Sequence, residues 1–236
     1  MPDQIQAYLD AFGRWNSAID PVAFLDPAWT FGVPSKTIDA VYRESVTGFF
    51  GLPLGQITTE RITRFAEVSP DRLDLQIVPH SPELWNSLLN PLRLAKKAYA
   101  LGDYIVTIAL AGMVAEMLAL VTFEVHGPIT VPKGAARGRV MSFEEFEVKG
   151  QEERIEALRP LLLPERMAEF RLIRKVRREY LHFWTKKHDR IREDARDCFL
   201  AAMSLFREFL DPGIQGTAVT FDPQVIAAVK RWQGIS

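Results

Sequence analysis

The sequence predicts a mainly α protein: a helical bundle preceded by a mostly helical extension and interrupted by a few short strands. Three observations lead there. Apolar residues recur at intervals of three and four through most of the 236 residues, the period of a helix with one buried face. Residues that start or stop helices, among them Pro82, Asp103, Ser142 and Pro164, stand at the ends of those stretches. Strand-like alternation is confined to short segments, the clearest being 72–78.

Composition bounds the function. At 47% hydrophobic residues the chain can bury a sizeable core. A net charge of -1 gives no global pull toward nucleic acid or acidic membranes, so any affinity for polyanions must come from local clustering. Cys198 is the only cysteine, which excludes an intramolecular disulfide and a cysteine-based zinc site. The opening MPDQIQAYLDAFG has no basic stretch followed by an apolar one, and the chain reads as cytoplasmic.

Residues 1–80 form the extension. Ile5, Leu9, Phe12, Trp15 and Ile19 share helical spacing, Ser35 caps a predicted helix through Phe49, and another helix is expected from Ile57 to Val68. The bundle is expected over 81–212. Ser81-Pro82 and Asn90-Pro91 each read as a cap followed by proline at the first helical position, giving two pieces. Gly102 ends the second piece and Asp103 caps the next helix, a hairpin with a very short turn. Within that next helix the stretch Tyr104 to Phe123 is long enough to span a bilayer. Its one charge, Glu116, would cost roughly 2.5–3.5 kcal/mol there, which favours a helix buried in a bundle and no membrane.

After a loop or small hairpin around His126–Met141, Ser142 and Glu145 form a capping box ahead of FEVKGQEERIEALRPLL. The basic piece Lys133–Arg139 lacks the ending of a phosphate-binding loop and reads as a mobile loop able to touch RNA. Pro164 opens the helix that carries Met167, Phe170, Ile173, Val176, Tyr180 and Trp184, a stripe that must face a core or a partner. A last long helix carries Ile191, Ala195, Cys198, Ala202, Leu205 and Phe209 and stops at Asp211-Pro212-Gly213. Cys198 there reads as a core residue, with no histidine placed to activate it. Over 213–236, GTAVTF is a short strand and DPQVIAAVKRWQ a closing helix.

The charged residues single out the Pro164 helix. From Arg166 to Arg192 there are ten Lys or Arg against Glu169, Glu179 and Asp189. A face of that kind suits a phosphate backbone, with Arg174, Lys175, Lys186, Lys187 and Arg190 as RNA-binding candidates. It is also compatible with a solvated face held by pairs within the helix. Arg177 stands apart, because at 100° per residue it falls inside the apolar stripe. It needs a partner, and Glu116 is an equally isolated carboxylate. A buried Glu116–Arg177 pair satisfies both, and breaking one costs about 3–5 kcal/mol. His182 lies about 140° round the helix from Arg177, so a straight helix cannot aim both at one point. Either the helix distorts or a second subunit completes the site.

Arg177-Arg178-Glu179-Tyr180-Leu181-His182 resembles the motif of the HEPN domains (higher eukaryotes and prokaryotes nucleotide-binding), an arginine, a polar residue, three residues and a histidine. The setting is similar too: a helical hairpin, an intervening loop, a helix ending in the motif and a last long helix, over roughly 88–210. The resemblance implies an antiparallel bundle of four to five helices. It also implies a metal-independent endoribonuclease without cofactor, acting as a homodimer on RNA or a nucleotide ligand. Toxin or defence chains of this kind have an antitoxin or defence partner protein. It makes Arg177 and His182 catalytic, with Arg178, Glu179 and Glu116 in support. His182 would take the proton of a ribose 2′-OH and Arg177 would hold the phosphate, leaving a 2′,3′-cyclic phosphate and a 5′-OH. Two positions depart from the family. The second motif residue, often Asn, Asp or His, is Arg178, which favours a non-catalytic binding module as the alternative. Trp184 stands where some family toxins carry a modified tyrosine, and reads as interface packing or a stacking platform.

Overall fold

The computed structural model describes residues 47–68, 76–77, 82–130, 138–182, 189–211 and 218–233. Helices make up 78% of them. The helices expected before residue 47 lie outside the described residues.

The chain divides into two compact units, Met1–Thr107 with Asp211–Thr220, and Ile108–Leu210 with Phe221–Ser236. In the first, α1 (Thr59–Glu67) packs on α2 (Pro82–Leu101). Arg64 Nε donates to the Ala100 carbonyl at 3.1 Å, and the Tyr99 hydroxyl donates to Glu67 at 2.8 Å. Phe49 and Phe50 meet edge to face, and Phe65 lies 4.9 Å from Phe49. The stem of Lys96 is buried there, its ammonium 4.2 Å from the centre of the Phe65 ring. β1 (Gln76–Ile77), within the expected strand, runs parallel to β5 (Ala218–Phe221), with Gln76 opposite Ala218. β5 also borders β4 (Leu210–Asp211) in the order β1-β5-β4.

One expectation fails in this unit. α2 is continuous through Pro91, where the sequence predicts a break. Proline inside a helix forfeits a backbone bond, at a cost of about 3 kcal/mol. Leu92, Ala95 and Tyr99 are fully buried, and burial of such side chains, at roughly 1.5–3 kcal/mol for a leucine, outweighs the loss. The turn after α2 is as expected. Gly102 has φ +89°, open to glycine at little steric cost, and Asp103 Oδ1 accepts from Val106 N at 3.4 Å.

In the second unit, α3 (Tyr104–His126) contributes residues from Ile108 onward. Among the described residues it is the one helix long and apolar enough to cross a membrane, and 56% of its most apolar window is buried. β2 (Ile129–Thr130) and β3 (Val140–Met141) form an antiparallel pair, so the expected loop is a small hairpin. The capping box forms: Ser142 Oγ accepts from Glu145 N at 3.3 Å and the Glu145 carboxylate accepts from Ser142 N at 3.2 Å. It starts only a short helix, α4 (Phe143–Glu147). Extended backbone at Gly150, with ψ 154°, separates this from α5 (Gln151–Leu158), where one longer helix is predicted. The break lets Phe146 stack on Phe123, centroids 4.4 Å apart.

α6 (Pro164–His182) packs against α5 and α7 (Ile191–Arg207). Its stripe residues Met167, Phe170, Ile173, Val176 and Tyr180 are all buried, so within this chain the stripe faces core. α8 (Pro223–Gln233) closes the unit through Val225, Ala228 and Val229, and Arg231 bonds Glu124 at 2.5 Å.

Candidate functional site

The last two turns of α6 carry the motif, and their orientation follows from the buried stripe. With Ile173, Val176 and Tyr180 fixed inward, Arg177 emerges beside them toward α3, while Arg174 and Arg178 lean toward the start of α5. Arg177 hydrogen-bonds the Glu116 carboxylate, the pairing expected from the two isolated charges. The pair is not deeply buried. Its side chains keep 26% and 36% of their surface exposed, so the full penalty of a stranded buried charge does not apply.

Gly112, one turn before Glu116, makes the pairing possible. A Cβ at that position would sit 2.4 Å from Arg177 Cδ and 3.0 Å from its Nε. The arginine stem therefore lies directly against α3 backbone, and Arg177 Nε is enclosed there without an acceptor. Sequence reading missed Gly112. An isolated glycine in an apolar helix, four residues before the one charge of its Tyr104–Phe123 stretch, is the available signal.

Arg174, Arg177 and Arg178 line a cleft of about 400 Å³ with Gly150, Gln151 and Glu152. Glu152 reaches across to pair with Arg174 and is 68% exposed. Gly150 has no side chain to cap α5, and the amides of the first helical turn have no acceptor within the helix. Three guanidinium groups and a bare helix start can hold the oxygens of a phosphate group. Glu152 and the start of α5 were not foreseen, because their approach depends on how α5 docks on α6.

The other nominated residues fall as follows. Lys175 and Arg190 are exposed, and Glu179 is half-buried. His182 is the last residue of α6, but its side chain lies outside the described residues, as do Trp184, Lys186, Lys187, His188 and His80. Of the basic loop, Lys133 and Arg137 also lie outside them, while Arg139 pairs with Glu145 at 2.7 Å. The pairs expected within α6 are largely replaced by pairs to other elements. Arg166 bonds Glu169 at 3.0 Å and also Glu208. Arg171 bonds Glu156 at 2.6 Å, which with Arg159 nearby holds that carboxyl below its usual range.

Two further groups are structural. The Tyr180 hydroxyl donates to Asp194 at 2.6 Å, and burial first, then that bond, raises its pKa. Cys198 is fully buried, and desolvation pushes its thiol up to about 12, the opposite of a nucleophile's shift. Among the described residues no group of three or more His, Cys, Asp or Glu side chains could hold a metal ion. No family model, curated protein or solved structure matches this chain.

Proposed function

We propose that the chain is a HEPN-type endoribonuclease, with a HEPN-like bundle, that cleaves RNA without a metal ion or cofactor and acts as a cytoplasmic homodimer. The observation that carries this reading is the arginine-lined cleft at the end of α6, directly before His182. In the proposed reaction His182 removes the 2′-OH proton and the 2′ oxygen attacks phosphorus. The bond to the 5′ oxygen breaks, and an acid, the His182 of a second copy, protonates the leaving oxygen. Arg177 offsets charge on the pentacoordinate phosphorus, oriented by Glu116 behind it. The second copy answers the 140° between Arg177 and His182, and its contacts use residues other than the stripe, which this chain buries. A toxin or defence role, with an antitoxin or other partner protein, belongs to the same proposal.

One observation favours a second reading, a non-catalytic HEPN-like RNA- or nucleotide-binding module. Arg178 occupies the motif position where a neutral or acidic group orients the histidine, and here it lines the cleft instead. The two readings separate on labelled RNA with excess EDTA. The expected result is fragments ending in 2′,3′-cyclic phosphate, lost in His182→Ala while RNA affinity stays within about twofold, since a neutral imidazole contributes no phosphate charge. Binding without cleavage by the wild-type protein would establish the module instead.

A further inference from the structure

We infer that the cavity at the start of α6 is a binding site for a neutral, ring-sized alcohol, a phenol or a close analogue of one. The inference goes beyond the proposed function and does not rest on it. Arg166 in the cavity wall and the motif's Arg177 stand about 16 Å apart along α6.

Size and lining give the body of the ligand. The cavity holds about 180 Å³, and apolar cavities of about 150 Å³ accept a benzene ring. Its apolar wall comes from Leu161, Leu162 and Leu163 before α6, Phe170 on α6, and Leu205 and Phe209 at the end of α7. Leu163 is 59% exposed and His126 is exposed too, so the cavity opens to solvent beside them. Two phenylalanine rings in the wall favour an aromatic guest.

The ion pairs in the wall exclude a charged guest. Arg166 donates through Nη1 to both oxygens of Glu169, at 3.1 and 3.0 Å, and to Ser204 Oγ at 2.5 Å. Through Nη2 it donates to Glu208. An anionic guest meets two carboxylates already holding this guanidinium, and an ammonium must draw Glu208 away from it. A neutral guest disturbs neither bond.

Thr122 and His126 supply the polar handle. They stand four residues apart on α3, which makes them neighbours on one face of the helix. The Thr122 hydroxyl donates its hydrogen to the Leu118 carbonyl at 2.7 Å, so toward a guest its oxygen can only accept. The His126 imidazole, at the mouth, carries an N–H that donates. A hydroxyl group donates and accepts through a single atom, which suits two partners one helical turn apart. A ketone or ether only accepts, and a hydrocarbon does neither.

The test is saturation-transfer NMR titration of the full-length protein with phenol, alongside toluene, benzoate and benzylamine as rings of nearly the same size. Phenol should bind with a Kd on the order of 1 mM or tighter, as suits so few non-hydrogen atoms. Toluene should bind about three- to tenfold more weakly, the difference of a hydrogen bond, and the two charged rings more weakly than phenol. Thr122→Val keeps the side-chain shape and removes the acceptor, and His126→Leu removes the donor. Each should weaken phenol about three- to tenfold and leave toluene within about twofold, a difference that loss of the fold would not produce. If Thr122→Val does not fold, His126→Leu, at an exposed position, reads the same hydroxyl. Absence of phenol binding at about 10 mM overturns the site. Phenol affinity unchanged in His126→Leu overturns the handle, and tighter binding of benzoate or benzylamine than of phenol overturns the neutral class.

Discussion

Replacing Gly112 by alanine tests whether the motif arginine is held by its contact with α3. An alanine Cβ would stand 2.4 Å from Arg177 Cδ, where carbon atoms in contact keep about 3.5–4.0 Å, so the arginine must retreat by more than about 1 Å. Cδ lies two bonds from the guanidinium carbon, and the displacement there is larger. Two effects on stability then oppose each other. Alanine in a helix interior is favoured over glycine by roughly 1 kcal/mol. Loss of the Arg177–Glu116 bond removes about 0.5–1.5 kcal/mol, between an exposed pair and a charged hydrogen bond, as suits side chains 26% and 36% exposed.

Total stability should therefore change by less than about 1 kcal/mol, and a single melting curve would show little. The informative quantity is the coupling between Glu116 and Arg177, from a double-mutant cycle with Glu116→Gln and Arg177→Gln followed by urea unfolding. In the wild-type background it should be about 1 kcal/mol, and in Gly112→Ala it should fall below about 0.3 kcal/mol. Undiminished coupling would refute the claim that Gly112 positions Arg177. Destabilisation beyond about 3 kcal/mol would show instead that α3 cannot relax around the added methyl group.

Two further outcomes follow from buried groups with displaced pKa values. The folded pKa of Cys198 lies above its unfolded value of 9.0, so its contribution to stability is complete below pH 9 and is lost as pH rises toward about 12. Native protein should accordingly resist iodoacetamide at pH 8 and react promptly in denaturant; prompt native alkylation would contradict the burial. The Tyr180 phenol is raised above 10.0 in the same sense, so its share of stability is present below pH 10 and fades above it. Tyr180→Phe should lower stability at neutral pH by about 1 kcal/mol and flatten the alkaline decline, both measured by urea unfolding.

Helix ends were readable because their chemistry is local. The Ser142 box, the Gly102–Asp103 turn and the entry of α6 at Pro164 each depend on residues within four positions of one another. Two readings failed where distant packing overrode a local signal. Burial around Leu92 and Tyr99 carries α2 past Pro91, and stacking of Phe146 on Phe123 accompanies the break at Gly150. The Glu116–Arg177 pair was legible for a different reason. Each is a lone charge on an apolar face, and two such groups in one core have few ways to be satisfied other than by meeting.

The same reasoning explains why the basic run misleads when counted along the chain. Ten cations against three acids describes one segment, but an ion pair depends on distance in space. Arg166, Arg171, Arg174 and Arg177 are each met by an acid from another element: Glu208, Glu156, Glu152 and Glu116. Most of the apparent excess is therefore compensated on the surface of the second unit, and a long RNA track along α6 loses much of its field. What remains distinctive is local. At the start of α5, three arginines and one exposed carboxylate, Glu152, which pairs with Arg174, line a cleft large enough for a phosphate. The sequence could nominate Arg174, Arg177 and Arg178 by their spacing on one helix. That the bare end of a second helix faces them depends on the break at Gly150, which no periodicity announces.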